Sequence, residues 1–389
     1  MPFSERTNWN LDPNPFSRLL AEKQATETPL LDLTLSNPTH AGIPFDEEAV
    51  RSALFIASGE SYQPDPKGLH SARLAVAAYY QARGFGVNPE SIVLTTGTSE
   101  AYAFLFKLLC DPGGEILIPA PSYPLFGILS DLEAVGTIPY PLVLRDNEGW
   151  RWDADRIVER ITTRTRAVIA ISPNNPTGST LRPAERSVVS HICRERDLAL
   201  IVDEVFLDYS LPRGGNRLPS AAGNAECLTF VLSGLSKVAC LPQMKLSWIA
   251  ASGPGAEEAI SRLEFLADAY LSVSMPIQTA APAFLAGASR MQERICARLD
   301  ENTVILKELT DADGRFRILP SDGGWYAVVE LPNRWQDERA AMQLLESNNV
   351  VVHPGYFYDF TDEQVIVISL LTRSAEFAEG IRRILAALG

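Results

Sequence analysis

The sequence predicts an α/β protein, a mostly parallel sheet with helices on both faces followed by a smaller α/β unit. Two observations carry this expectation. Six short apolar runs occur at Ser91–Thr95, Glu115–Pro119, Ala167–Ser172, Leu198–Asp203, Leu228–Leu232 and Leu246–Ala251, most of them separated by segments long enough for a helix. Apolar runs without alternation suit strands covered on both faces, the environment of a parallel sheet. After about residue 255 the texture changes to long helical stretches and then to a second, shorter mixture of strands and helix.

Residues 1–45 are rich in Pro and Asn and hold one short helical stretch, Pro15–Lys23. They read as an N-terminal arm, part of the smaller unit, rather than as a core element. Residues 46–275 read as the large unit. It opens with a helix at Glu47–Ser58, a turn at Gln63–Gly68 and a helix at Ser71–Arg83, then alternates as described. Helical stretches at Glu257–Ala269 and Pro276–Glu308 follow, the second serving as connector. Residues 276–389 complete the smaller unit with strands at Gly324–Glu330, Val350–His353 and Val365–Leu371 and a closing helix at Ala375–Leu388. A parallel sheet of this kind binds its ligands at the carboxyl ends of its strands.

The chain has 389 residues, 46% hydrophobic and 21% charged, ordinary for a globular protein able to bury a core. No apolar stretch is long enough to span a bilayer, and Glu5 and Asp12 stand where a signal peptide needs an apolar run. The expected location is the cytoplasm. Lys and Arg number 34 against 48 Asp and Glu, a net charge of −14, which repels phosphate backbones and argues against nucleic-acid partners. Cys110, Cys193, Cys227, Cys240 and Cys296 are odd in number and lack CxxC spacing; His40, His70, His191 and His353 are scattered. Neither a disulfide framework nor a metal site is expected.

Four strand ends carry polar groups. Thr95–Ala101 turns at Gly97 and starts a helix with Thr98 and Ser99, where free N–H groups favour an anion; the same segment also reads as an ordinary N-cap. Asp203 ends a buried run, as a functional acid or as a cap or ion-paired residue. Asn175 lies in the turn-forming Ser172–Gly178, as a ligand or a plain loop. Lys237, in Ser233-Gly-Leu-Ser236-Lys237, reads either as a lysine snorkelling to water or as an amine of lowered pKa that forms a Schiff base.

Together with Tyr62-x-Pro-x-Pro-Lys-Gly68 and Pro121-Ser-Tyr123-Pro124, these segments resemble the class I/II aminotransferases, in one order from the arm to the C-terminus. These are pyridoxal-phosphate (PLP) enzymes of fold type I, the aspartate aminotransferase-like group. The resemblance implies that Lys237 carries PLP and shuttles the proton, and that Asp203 pairs with the pyridine nitrogen. It implies that Asn175 bonds the ring 3′-oxygen and that Tyr123 stacks on the ring. Gly97, Thr98, Ser99, Ser236 and Lys245 surround the phosphate. Tyr62 reaches the phosphate of a neighbouring subunit, so the resemblance implies a homodimer with shared sites, and Ser272–Gln278 lies at its rim.

Three departures stand out. Lys245 occupies the position of an arginine, keeping the charge without the fork, and Gly234 replaces the usual serine, leaving Ser233 one place off. Phe206 replaces a tyrosine that donates to the 3′-oxygen, with Tyr209 the nearest hydroxyl in sequence. Val367 falls where an arginine binds the substrate carboxylate; Arg373, Asn37 and His40 are the polar residues left to examine, and Trp325 and Tyr356–Tyr358 are candidate pocket walls. The leading expectation is an aminotransferase that moves an amino group between an amino donor and a keto acceptor through pyridoxamine phosphate. The alternative is another PLP reaction on the same fold, such as a lyase, decarboxylase or tailoring reaction. A third reading, a ligand-binding protein without catalysis, has to explain Lys237, Asn175 and Asp203 together.

Overall fold

The computed structural model describes residues 3–57, 61–62, 64–146, 148–211 and 219–389; Ser58 and Gln63 of the expected first helix and turn lie outside them. Seven strands form the large sheet: β1 (Ile92–Thr95), β2 (Glu115–Ala120), β3 (Gly136–Pro141), β4 (Thr165–Ile171), β5 (Ala199–Asp203), β6 (Thr229–Gly234) and β7 (Ser247–Ser252). Their order is β1-β7-β6-β5-β4-β2-β3. Pairing is parallel from β6 through to β3, and β7 runs antiparallel to both its neighbours.

The lack of alternation in these strands has its expected cause. Val168, Leu200 and Val231 point into one apolar cluster, while Ile169, Ile201 and Leu232 point into another on the opposite face. The helices Thr98–Leu109 and Ala256–Asp268 cover the second face. The edge strand β3 has no counterpart among the six runs. Its sequence, GTIPYP, carries Pro139 and Pro141, which a strand accepts only at an edge where an N–H is not needed.

The expected continuous helix at Pro276–Glu308 is two helices, Met275–Ala286 and Ala288–Asp313, which meet at Gly287. Glycine is the poorest helix former after proline, so the joint falls there. The second sheet has β8 (Arg317–Ile318), β9 (Tyr326–Glu330), β10 (His353–Pro354) and β11 (Val365–Ser369) in the order β8-β9-β11-β10. Leu31–Asp32 pairs in parallel with Val350–Val351, and Leu33 is fully buried, so the N-terminal segment contributes to the core. No helix among the described residues is long and apolar enough to cross a membrane.

Candidate active site

Register alone brings the chemistry-bearing segments to one edge of the large sheet. Thr95 of β1 lies opposite Ser247 of β7, and Ser247 opposite Gly234 of β6. Leu232 of β6 lies opposite Asp203 of β5, and Asp203 opposite Ile171 of β4. Gly97, Lys237, Asp203 and Asn175 therefore leave the sheet side by side, and Lys245 enters it there.

Lys237 sits in the one-turn helix Leu235–Val238. Its Nζ donates to the Ser36 carbonyl at 3.0 Å and lies 4.4 Å from the centre of the Trp325 ring and 5.5 Å from that of Phe206. Burial pulls the amine down from 10.5 to about 8, with Cys240 acting weakly the other way. An amine of that pKa is ~10% neutral at pH 7, against ~0.03% for a free lysine, so the nucleophilic form is enriched by more than two orders of magnitude. Tyr209 does not face the ring pocket as a replacement donor. Its hydroxyl donates to the Lys237 carbonyl at 2.6 Å and so fixes the turn that carries the amine.

Asp203 is buried at the end of β5. Its Oδ1 accepts from the Val205 amide at 3.1 Å and its Oδ2 from the Tyr102 hydroxyl at 3.0 Å. Burial raises the acid to about 6, and the two hydrogen bonds pull it back towards ionisation. Asn174 and Asn175 divide their work. Asn174 Nδ2 bonds the Pro121 carbonyl and Thr177 Oγ1, both at 2.9 Å, buckling two loops together. Asn175 is left with a buried Oδ1 that has no partner among the described residues. Ser36 and Asn175 stand beside the Tyr326 hydroxyl and partly offset the rise that burial imposes on it.

The Thr98–Leu109 helix opens at Gly97 with no side-chain cap. A Cβ added at Gly97 would lie 3.4 Å from Lys245 Nζ, so an ammonium stands over the helix start. Glu100 is turned away, accepting from the Thr96 amide at 2.8 Å. Thr98 and Ser236 are half-buried and Ser99 is exposed. Ser233 is buried, and its Oγ has no partner among the described residues. Tyr123 is 47% and Tyr62 70% exposed.

Val367 is 1% exposed and lies opposite Val328 on β9 and His353 on β10. Residues paired across strands share a face, as do residues two apart. Tyr326, which reaches Ser36 and Asn175, is thus on the same face as Val367, and that face is turned to the site. Among the described residues, the two arginines nearest in sequence and fold are turned elsewhere. The Arg373 guanidinium packs on Gly42 at the surface, and Arg298 donates to the carbonyls of Ala41, Leu371 and Thr372. Asn37 caps the turn at Pro38–His40 by accepting from the Thr39 amide and hydroxyl. His353 Nδ1 is bonded to the Tyr358 hydroxyl at 2.8 Å, and burial lowers its pKa, which favours the neutral ring.

Tyr102 and Tyr326 enter the site without having been singled out in the sequence. Both read there as apolar positions of a helix and a strand, and nothing local distinguishes a hydroxyl that finds a polar partner.

These groups suit one cofactor. An amine of lowered pKa can condense with an aldehyde, a buried carboxylate can pair with a protonated pyridine, a side-chain amide can donate to a ring oxygen, and an uncapped helix start under an ammonium can take a phosphate. The fold and site are those of a PLP enzyme of fold type I. The sequence pattern of the family described as aminotransferase class I and II matches residues 28–384, and the chain belongs to that family. It is a PLP-dependent aminotransferase. It is similar to the glutamate-pyruvate aminotransferase AlaA of Haemophilus influenzae, 27% identical with 91% of this chain and 89% of that one covered. It is also similar to the alanine aminotransferase of Mycobacterium tuberculosis, 28% identical with 95% and 88% covered. Among solved structures, an aminotransferase from Escherichia coli superposes with a TM-score of 0.86 at 26% identity, covering 100% of this chain and 98% of that one.

Proposed function

We propose that Lys237 is the lysine that carries PLP and moves the proton in both half-reactions, taking it from the donor's Cα. Bound there, PLP supplies an electron sink for the electrons that the departing proton leaves behind. Asp203 holds the pyridine nitrogen protonated, Asn175 takes the ring oxygen, Tyr123 covers the ring, and Gly97, Thr98, Ser99, Ser236 and Lys245 hold the phosphate. Phe206 offers no hydroxyl to the ring oxygen, so Asn175 carries that contact. The observation that carries the reading is the Lys237 amine, held between Trp325 and the Ser36 carbonyl where burial lowers its pKa. Borohydride reduction of the PLP-loaded protein should fix the cofactor on Lys237, located by peptide mass spectrometry. An adduct on Lys245, or none, defeats the assignment.

The donor is inferred from Val367. The relatives are named for alanine, glutamate and pyruvate, yet a carboxylate set beside Val367, Val328 and a neutral His353 would be desolvated with no arginine among the described residues turned to meet it. The reading is transamination of donors that bring no free carboxylate to that wall.

A homodimer with Tyr62 reaching the neighbouring site is the proposed assembly. Phe55 and Ile56 are 82% and 74% exposed, and Tyr62, Pro64, Gly68, Ser272, Met275 and Gln278 line a crevice. Sedimentation at micromolar concentration should return twice the chain mass. Five free cysteines suit the proposed cytoplasmic location.

A further inference from the structure

We propose that Tyr102 is a positioning residue for the reaction: its phenol orients the Asp203 carboxylate and keeps it ionised, so that the acid is ready to pair with the pyridine nitrogen. This rests on the reading of Asp203 given above. Tyr102 belongs to the Thr98–Leu109 helix, whose first turn faces Lys245. It is 1% exposed, held edge-on to Phe126 at 5.2 Å and against Phe106 at 5.9 Å, so its hydroxyl has a single fixed direction. That direction ends on Asp203 Oδ2 at 3.0 Å. One helix therefore touches both ends of the cofactor site. Its start offers amides to the phosphate, and one turn later its phenol holds the acid for the ring nitrogen.

The physical need is plain. With Oδ1 taken by the Val205 amide, a buried carboxylate with one free oxygen could rotate or take up a proton. Either change loses the anion that a pyridinium requires. A phenol is a suitable partner, because it donates to the carboxylate without bringing a charge that would compete with the pyridinium. Two further titratable groups surround the pair. Glu204 follows in sequence and is engaged by Ser220 and the Ala221 amide. The Tyr140 hydroxyl on β3 is spent on the Ile169 carbonyl at 2.6 Å. Neither can replace Tyr102.

The test titrates cofactor-free protein with PLP and follows the dissociation constant against pH for the parent, Tyr102→Phe, Asp203→Asn and the double variant. Removing a donor from a carboxylate raises its pKa, so in Tyr102→Phe the pH below which PLP affinity falls should move up by about one to two pH units. At pH 7 the affinity should drop by about twofold for a one-unit shift and about tenfold for a two-unit shift. In the Asp203→Asn background the same substitution should change affinity less than about twofold, because the two residues act as one unit. An unmoved midpoint, or an equal loss in both backgrounds, overturns the inference while leaving Asp203 in place. Parent-like affinity in Asp203→Asn overturns the reading of Asp203 itself. Should Tyr102→Phe not fold, Tyr102→3-fluorotyrosine keeps the ring and makes a stronger donor; the midpoint should then move down, and an unmoved one overturns the inference.

Discussion

At the scale of single residues, the site is defined by what surrounds its charges. Lys237 is lowered because Trp325 and Phe206 take the place of water around it, and Asp203 is raised because it is enclosed. Val367 applies the same physics to the substrate. An ion pair broken by burial of one unpartnered charge costs about 3–5 kcal/mol, which is roughly two to four orders of magnitude in kcat/KM. Aspartate and glutamate should therefore fall well below about 10⁴ M⁻¹s⁻¹, and an amino-acid amide should react as well as or better than its parent acid. Arg373 packs on Gly42 at the surface, so Arg373→Ala should leave the kcat/KM of every active donor within about threefold. Steady-state rates over acid and amide pairs decide it. Efficient use of glutamate that survives Arg373→Ala would show that another cation meets the carboxylate, and a strong loss in Arg373→Ala would show that Arg373 swings inward.

At the scale of elements, the loop after β4 is held against the segment that joins β8 to β9. Gly178 has φ +67°, and a Cβ there would meet the Gly323 carbonyl oxygen at 2.3 Å. The loop thus lies directly on residues 321–323, where Asp322 also takes hydrogen bonds from Arg151 and Thr180. Gly178→Ala combines a left-handed backbone with a clash against main chain. It should lower stability by about 1–3 kcal/mol from the backbone alone, read as a fall in denaturant midpoint at unchanged slope. PLP affinity should fall with it, because Asn175 rides on that loop. An equally stable variant would mean the loop and residues 321–323 are free to part. Much of this level is legible in the sequence. The apolar runs locate β1, β2 and β4–β7, since a strand buried twice needs an unbroken apolar string. The edge strand β3 is hidden because its prolines read as breakers, and the helix joint at Gly287 is hidden because a single glycine within a helical pattern is often tolerated. Lys237, Asp203 and Asn175 are legible as candidates because each ends or follows a strand. The bond from Tyr102 to Asp203 joins residues 101 apart and leaves no local trace.

At the scale of the whole molecule, the buried acids tie folding to pH and to the cofactor. Asp203 is raised from 3.8 to about 6 and Glu204 from 4.5 to about 7, both chiefly by burial. A carboxyl whose pKa is higher folded than unfolded favours the fold while it is protonated. That contribution is complete below about pH 4 and is lost as pH rises through 6 and 7. At about 1.4 kcal/mol per pH unit, each acid withdraws up to ~3 kcal/mol by pH 8. Carboxylates with cationic partners act in a lower window; Glu90, held by Lys67 and Arg73, is pulled down to about 2. Lys237 has the opposite sign, since its lowered amine contributes only at high pH and loses that contribution as pH falls through about 8. Near pH 7 the cofactor-free protein therefore holds Asp203, Glu204 and Lys237 all at a disadvantage. In the proposed roles, PLP would relieve the first by pairing and the third by covalent capture, and would leave the hydrogen bonds of Glu204 in place. The melting temperature of cofactor-free protein should fall between pH 5 and 7.5, and the rise produced by PLP should be larger at pH 7.5 than at pH 5. Glu204→Gln should flatten the fall and preserve the PLP-induced rise, because its partners Ser220 and Ala221 lie away from Lys237 and Asn175 in the chain. Differential scanning calorimetry across that range is the measurement. A melting temperature that climbs from pH 5 to 7.5 without cofactor would mean that Asp203 and Glu204 are ionised at no disadvantage, and that the enclosure of this edge of the sheet is looser than its burial implies.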